Sequence, residues 1–227
     1  MARFTLDWIQ LAAIVGALQG LVLTAVLTAQ RTNRTANRLL AAFMATMTIY
    51  LAGGPYYTAG VFRVYPHFAM VSYQMPWVFG PLVYLYAHAA SDRSWRFTSK
   101  ALLHFVPVTV TTIAVMPFYM MSGPEKIATW EQWSVHGLIG TIAHLDPFKY
   151  VSGIAYSSAT VMYLLRHRRD VEQSYSNVAS VNLRWLFWLS GATGGIWVLV
   201  TALKIAHAHG ARADYLGLRR WIDTLRR

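Results

Sequence analysis

The sequence predicts an all-α, polytopic membrane helix bundle with about six transmembrane spans. Three observations predict it. Hydrophobic residues make up 56% of the 227 and charged residues only 13%, where a soluble domain carries about 25%. Six apolar runs each approach the length that crosses a hydrocarbon core of about 30 Å at about 1.5 Å per residue. All 20 basic and 9 acidic residues fall in the intervening loops, in the tails or at the ends of those runs. Composition also excludes some classes. The net charge of +11 sits in short clusters between apolar runs, which marks topology rather than a nucleic-acid footprint. Cysteine is absent, which removes disulfides, thiol catalysis and cysteine-held metals.

The first span covers residues 8–29. It follows a weak signal-peptide n-region and is too long for an h-region, so it reads as a retained membrane helix. Ala12, Gly16, Gly20, Thr24 and Thr28 recur every four residues, and the glycines let another helix approach closely. Gly16, Gln19 and Gly20 form the candidate helix-packing face, serving the internal bundle or a homodimer through membrane helices. Gln19 needs a partner within the bundle. Residues 30–38 carry Arg31, Arg34 and Arg38 without an acid. The second span, 39–57, ends on the helix breakers Gly53-Gly54-Pro55, with Tyr56 and Tyr57 at an interface.

The third span, 66–90, contains Pro76 and Pro81. Each removes a backbone donor and crowds the carbonyl four residues back, so a bend is expected. Gln74 is placed to satisfy a freed carbonyl. A short loop with Arg93, Arg96 and Lys100 against Asp92 leads to the fourth span, 101–121, which has Pro107 early and Pro117 late. The longest connector, 122–147, holds Trp130 and Trp133, expected at the membrane interface. The fifth span, 148–165, is rich in small residues. A polar loop opening with Arg166, Arg168 and Arg169 leads to the sixth, 185–205. Residues 206–227 read as a basic amphipathic tail. Tyr215, Leu218, Trp221, Ile222 and Leu225 share one helical face and Arg219, Arg220, Arg226 and Arg227 the other, the pattern of a helix lying on a membrane surface.

The loops after spans one, three and five carry 10 Lys and Arg residues; the N-terminus and the other two loops carry 4. This bias predicts an N-terminus on the outer side of the membrane. The tail, with 6 basic residues from Lys204 onward, runs against it.

Candidate chemistry is sparse. His88 and His104 flank the central loop and could ligate a haem or metal from facing helices; interfacial hydrogen bonding is the commoner role. His136, His144 and Asp146 fall together in the long connector, and His207 and His209 lie two apart, which points them to different sides of a helix. No span carries Asp, Glu, Lys or Arg near its middle, against the usual need of ion-coupled transporters, although helix breaks can also build a transport site. No Ser-His-Asp set, HExxH, P-loop or GxGxxG stands in context. A non-enzyme without cofactor is expected, with a small polytopic transporter and a membrane haem protein as the rival readings. Tyr84 and Tyr86 stand on different helix faces, so at least one should face the bundle.

Several short motifs match a known family. They are Gly16-Ala17-Leu18-Gln19-Gly20-Leu21, Asn37-Arg38-Leu39-Leu40, Gly80-Pro81-Leu82-Val83-Tyr84-Leu85-Tyr86, Leu103-His104-Phe105-Val106-Pro107, and Ser176 followed by Leu183-Arg184-Trp185-Leu186. In this order and spacing the chain resembles the N-terminal multi-span sensor domain of membrane-anchored bacterial AraC-type transcription regulators, over about residues 8–203. The resemblance implies signal perception for transcription control, with a small molecule or a membrane state as the signal. In that family a seventh span and paired helix-turn-helix units follow. Residues 206–227 are too short for these, so a chain stopping before its DNA-binding domain, or a stand-alone sensor, is expected, and no direct DNA binding. The candidate signalling hinge is Pro76, Gly80, Pro81, Tyr84, Tyr86, His104 and Pro107.

Overall fold

A computed structural model describes residues 7–92, 94–136, 140–174 and 184–225; of residues 168–174 and 207–225 it describes the backbone alone. Among the described residues every regular element is helical. Helix α1 (Trp8–Ala29) starts on Asp7, whose carboxylate accepts the Trp8 amide at 2.7 Å. Helix α2 (Arg34–Thr58) returns beside it. The tight turn between them uses Asn33 at φ 43°, a conformation asparagine tolerates better than most residues. Asn37 ties the turn down by donating to Gln30 Oε1 and to the Thr32 carbonyl, both at 2.8 Å. Arg34 and Arg38 therefore sit in the first turns of α2 rather than in a loop, with their side chains in solvent.

The third apolar run is not one helix. It holds α3 (Val61–Val64) just before it, a 3-10 turn at Pro66–Phe68, α4 (Val71–Gln74) and α5 (Pro76–Ser91). The sharp change of direction is at Met70, which has φ 67° and a fully buried side chain. A left-handed non-glycine residue costs about 1–2 kcal/mol. Its amide is held by the Tyr57 hydroxyl, which accepts at 2.8 Å. At Pro76 the chain stays helical, with Met75 at φ −60° and ψ −39°. The ladder tightens there instead: Met75 N–H reaches the Ser72 carbonyl at 3.3 Å and Val78 N–H the Met75 carbonyl at 3.0 Å. Proline has removed the four-residue bond, and three-residue bonds replace it.

A second 3-10 stretch, Ser99–Phe105, leads into α6 (Val106–Met120). The long connector is itself helical: α7 spans Gly123–His136. Ser122 and Glu125 cap it, the Glu125 carboxylate accepting from the Ser122 amide at 2.8 Å and hydroxyl at 2.7 Å. This Ser-x-x-Glu spacing is a capping box. Trp130 stacks on Tyr57 at 4.0 Å and Trp133 on Phe118 at 5.1 Å, so both clamp α7 onto the bundle. Helix α8 runs over Thr141–Ser174 and α9 over Arg184–Leu225. The backbone is helical without a break past Ala206, so residues 206–225 extend α9 and do not form the separate surface helix that the sequence suggests.

Four helical stretches are long and apolar enough to cross a membrane: Trp8–Ala29, Arg34–Thr58, Ser99–Met120 and Arg184–Ala206. Their outward faces expose Leu18, Val22, Ile113, Trp188 and Leu199, as lipid contact requires. Helix α5 is the interior element, with Trp77, Leu82, Leu85, Ala87 and Ala89 all buried. It packs on α2 and α8. One core, Leu39, Leu82, Leu85, Ala89 and Ala101, joins the start of α2 to the end of α5. A second, Met70, Val115, Phe118 and Ile142, closes the opposite end. Around the first end stand the exposed bases Arg31, Arg34, Arg38, Arg96, Lys100, Arg166 and Arg184.

Replacing Tyr57 by Phe removes the acceptor of the buried Met70 amide and should cost about 1–3 kcal/mol. Equilibrium unfolding in detergent checks this, with exposed Tyr65→Phe as a variant expected to leave stability unchanged.

Candidate functional site

The hinge residues fall on three elements: Pro76, Gly80, Pro81, Tyr84 and Tyr86 on α5, His104 in the 3-10 stretch Ser99–Phe105, and Pro107 on α6. Gly80 is a packing residue: a Cβ built there would lie 2.6 Å from Tyr156 Cβ, so only glycine lets α8 come this close. Pro81 is buried within α5, which continues past it. Pro107 occupies the first turn of α6, where its missing N–H has no helical partner to lose. It starts a helix and bends none. Pro76 likewise stands in the first turn of α5, whereas Pro81 lies inside that helix and leaves the Trp77 carbonyl without its helical donor.

At the arginine-rich end Tyr84 stands at the centre of a His–Tyr cluster. Its ring meets His88 edge-on at 4.7 Å, His104 at 5.4 Å and Tyr156 at 6.0 Å. His104 Nδ1 and the Tyr156 hydroxyl hydrogen-bond at 2.8 Å. His88 stacks on Tyr163 at 3.7 Å, while its Nε2 is buried with no hydrogen-bond partner among the described residues. Since Tyr84 packs on both imidazoles, an axial haem pair would require that ring to leave. Tyr86 turns the other way, toward Trp185 at 6.1 Å. Among the described residues no group of three His, Cys, Asp or Glu is placed to hold a metal. His136 and His144 are exposed, and the side chains of His207 and His209 lie outside the described residues.

The packing face on α1 is used within the chain. Gly16 meets Leu51 and Gly20 meets Thr48 of α2, and Ala17 is buried between them. Gln19 lies on the exposed side, so it is not the bundle-facing amide that its position beside Gly20 suggested. Gln74 takes its partner from α6 and not from its own helix: the Thr111 hydroxyl donates to Gln74 Oε1 at 2.9 Å.

The opposite end holds polar chemistry that hydropathy did not single out. Asp146 on α8 accepts from Lys149 at 2.7 Å, from the Tyr73 hydroxyl of α4, and from Lys204 of α9 at 3.4 Å. Three helices thus meet on one carboxylate. Lys149 is nearly buried, its ammonium 4.0 Å from the Tyr73 ring and 5.5 Å from that of Tyr150. Burial opposes ionisation of Asp146, but the hydrogen bonds from Lys149 and Tyr73 and the two lysine charges outweigh it and hold its pKa below the usual value. Lys126 of α7 is only 2% exposed. It donates to His67 Nδ1 at 2.9 Å and to the Tyr119 carbonyl at 3.0 Å, fastening α7 across this end. Spacing gave one clue to this site: Asp146 and Lys149 are three apart, a helical pairing distance.

No protein-family model matches the chain, and no curated protein or solved structure matches it at a significant level.

Lys149→Met leaves the half-buried Asp146 with Tyr73 and Lys204 alone. The loss should approach about 3 kcal/mol, the lower end for breaking a buried pair, measured by unfolding in detergent. Because the folded pKa of Asp146 is depressed, its contribution is complete above about pH 3.9, the unfolded value. It is lost as pH falls through the lower folded value, so Asp146→Asn should flatten the stability decline below about pH 4.

Proposed function

We propose that the chain is a non-enzymatic six-span sensor module of the bacterial inner membrane, similar to the membrane part of AraC-type regulators. The junction of α4 and α5 at Met75–Pro76, where the ladder tightens, carries this reading. From Val71 to Ser91 the chain is helical apart from the tightened turn at Met75, about 32 Å at 1.5 Å per residue, enough to cross the hydrocarbon core. Tyr73 sits one turn before Pro76 and binds Asp146. Tyr84 and His88 sit beyond it, in the His–Tyr cluster. The α4–α5 segment therefore links a polar group at one end to a polar group at the other, with the tightened turn at Met75 between them.

The arginine-rich end faces the cytoplasm in this reading, which places the N-terminus outside. The fifth span is the apolar part of α8, and Asp146 lies at its mouth. A signal that loosens Tyr73 from Asp146 changes the bend at Pro76 and repositions the far end of α5. The buried Nε2 of His88, without a partner among the described residues, favours a second arrangement there, because any shift that gives it a partner recovers about 1–3 kcal/mol. A ligand or membrane state acts by binding one arrangement better than the other.

The cysteine-free sequence allows single-cysteine labelling without background. Six spans place Val64→Cys outside and Ser94→Cys inside, so an impermeant maleimide should label the first in intact cells and the second only after permeabilisation. Labelling of both from one side would remove the third span. Spin labels on the same two positions test the hinge. Pro76→Ala restores a backbone donor and should straighten the helix, giving a longer mean distance; an unchanged distance would sink the hinge.

A further inference from the structure

The cluster on Asp146 is unbalanced. Two ammonium groups, Lys149 and Lys204, share one carboxylate, which leaves a net positive charge in a partly buried place. The two Asp146 oxygens are not used equally. Oδ1 takes both Tyr73 and Lys149, whereas Oδ2 takes only Lys204 at 3.4 Å. That distance is beyond the usual range of a charge-assisted hydrogen bond, about 2.7–2.9 Å. Lys204 is thus held loosely by Asp146, although the Tyr150 hydroxyl also accepts from it, and its side chain is 59% exposed.

The surroundings are aromatic. The Lys149 and Lys204 ammoniums lie 5.5 and 5.0 Å from the centroid of the same Tyr150 ring. Tyr150 meets Trp197 edge-on at 5.8 Å. Trp197 lies against Gly153, where a built Cβ would come within 2.5 Å of its ring, so α8 and α9 are in direct contact one turn from Tyr150. The place therefore has an aromatic floor, a buried ammonium and an exposed ammonium with donors to spare. Cations are disfavoured, because three donors already address Asp146, the one carboxylate of this cluster among the described residues.

We propose that this end of the bundle binds a single anionic oxygen group, a carboxylate or phosphate, on Lys204 and Lys149 beside Tyr150 and Trp197. The group is carried by a small soluble molecule or by a lipid headgroup. On binding it takes Lys204 from Asp146 and competes with the carboxylate for Lys149. Tyr73 then shares Asp146 with fewer donors. This supplies the signal for the sensor reading, and rests on it for the consequence of binding but not for binding itself.

The test uses the full chain in nanodiscs of phosphatidylcholine. Benzoate and inorganic phosphate are titrated against tryptophan fluorescence and thermal unfolding, and a parallel set of discs contains phosphatidylglycerol. A saturable response to a soluble probe assigns a soluble ligand; a response to phosphatidylglycerol alone assigns a headgroup. Lys204→Gln should weaken binding about tenfold, the loss of one charge-assisted hydrogen bond. Asp146→Asn removes the competing carboxylate and should tighten it several-fold, a change that misfolding cannot imitate. No response to any probe, or equal affinity in wild type and both variants, would overturn the proposal. Spin labels at Val64→Cys and Ser94→Cys, read with and without the bound probe, separate the two ideas. Binding without a distance change upholds the anion site and removes the sensor hinge.

Discussion

Helix contact in this bundle depends on glycine. Lipid tails are as apolar as leucine, so helices in a membrane gain little by hiding apolar surface from one another and need close approach instead. Gly20 brings α1 onto Thr48 of α2, Gly80 brings α8 onto α5 at Tyr156, and Gly153 receives the Trp197 ring of α9. Added side chains at these points would meet neighbouring atoms at or inside contact distance. The three contacts join α1 to α2, α5 to α8 and α8 to α9. The α2–α5 contact at Leu39, Leu82 and Leu85 completes the series.

Close approach in the middle leaves polar chemistry to the ends. Each end has solved the problem differently. At the arginine-rich end, rings do the work: Tyr84, His88, His104, Tyr156 and Tyr163 stack and hydrogen-bond with one another. At the other end, charge joins the helices, through Asp146 to α4 and α9 and through Lys126 to the 3-10 turn at His67. Buried charge must be compensated locally. Ring clusters can repack at smaller cost.

Much of the fold was legible in the sequence because hydropathy reports lipid exposure directly. The apolar runs of α1, α2, α6 and α9 were read within a few residues. Failures came where local chemistry outweighed hydropathy. Ser122-Gly123-Pro124-Glu125 announces α7 through its capping box, yet a charged segment between apolar runs reads as a loop. Arg34 and Arg38 were assigned to a loop because they are charged, although Asn37 and Asn33 already close the turn before them. The reversal at Met70 leaves no trace in composition, since methionine has no preference for a left-handed backbone and only the Tyr57 hydroxyl explains it. Long-range pairs were the least visible. Asp146 and Lys149 are neighbours in sequence, but Tyr73 and Lys204 reach them from distant segments, and no periodicity encodes that meeting. Gln19 shows the reverse error: a polar residue beside a contact glycine need not share its face.

Helix α9 is much longer than any membrane requires. Its 42 residues span about 63 Å at 1.5 Å per residue. The segment from Lys204 to Leu225 accounts for about 32 Å of this. An unbroken helix of that length is a lever arm whose pivot lies at the Asp146 cluster. A swing of about ten degrees at Lys204 moves Leu225 by about 5 Å, by the geometry of a rod of that length. Any change of angle where Lys204 meets Asp146 is thereby magnified along the helix by its length alone.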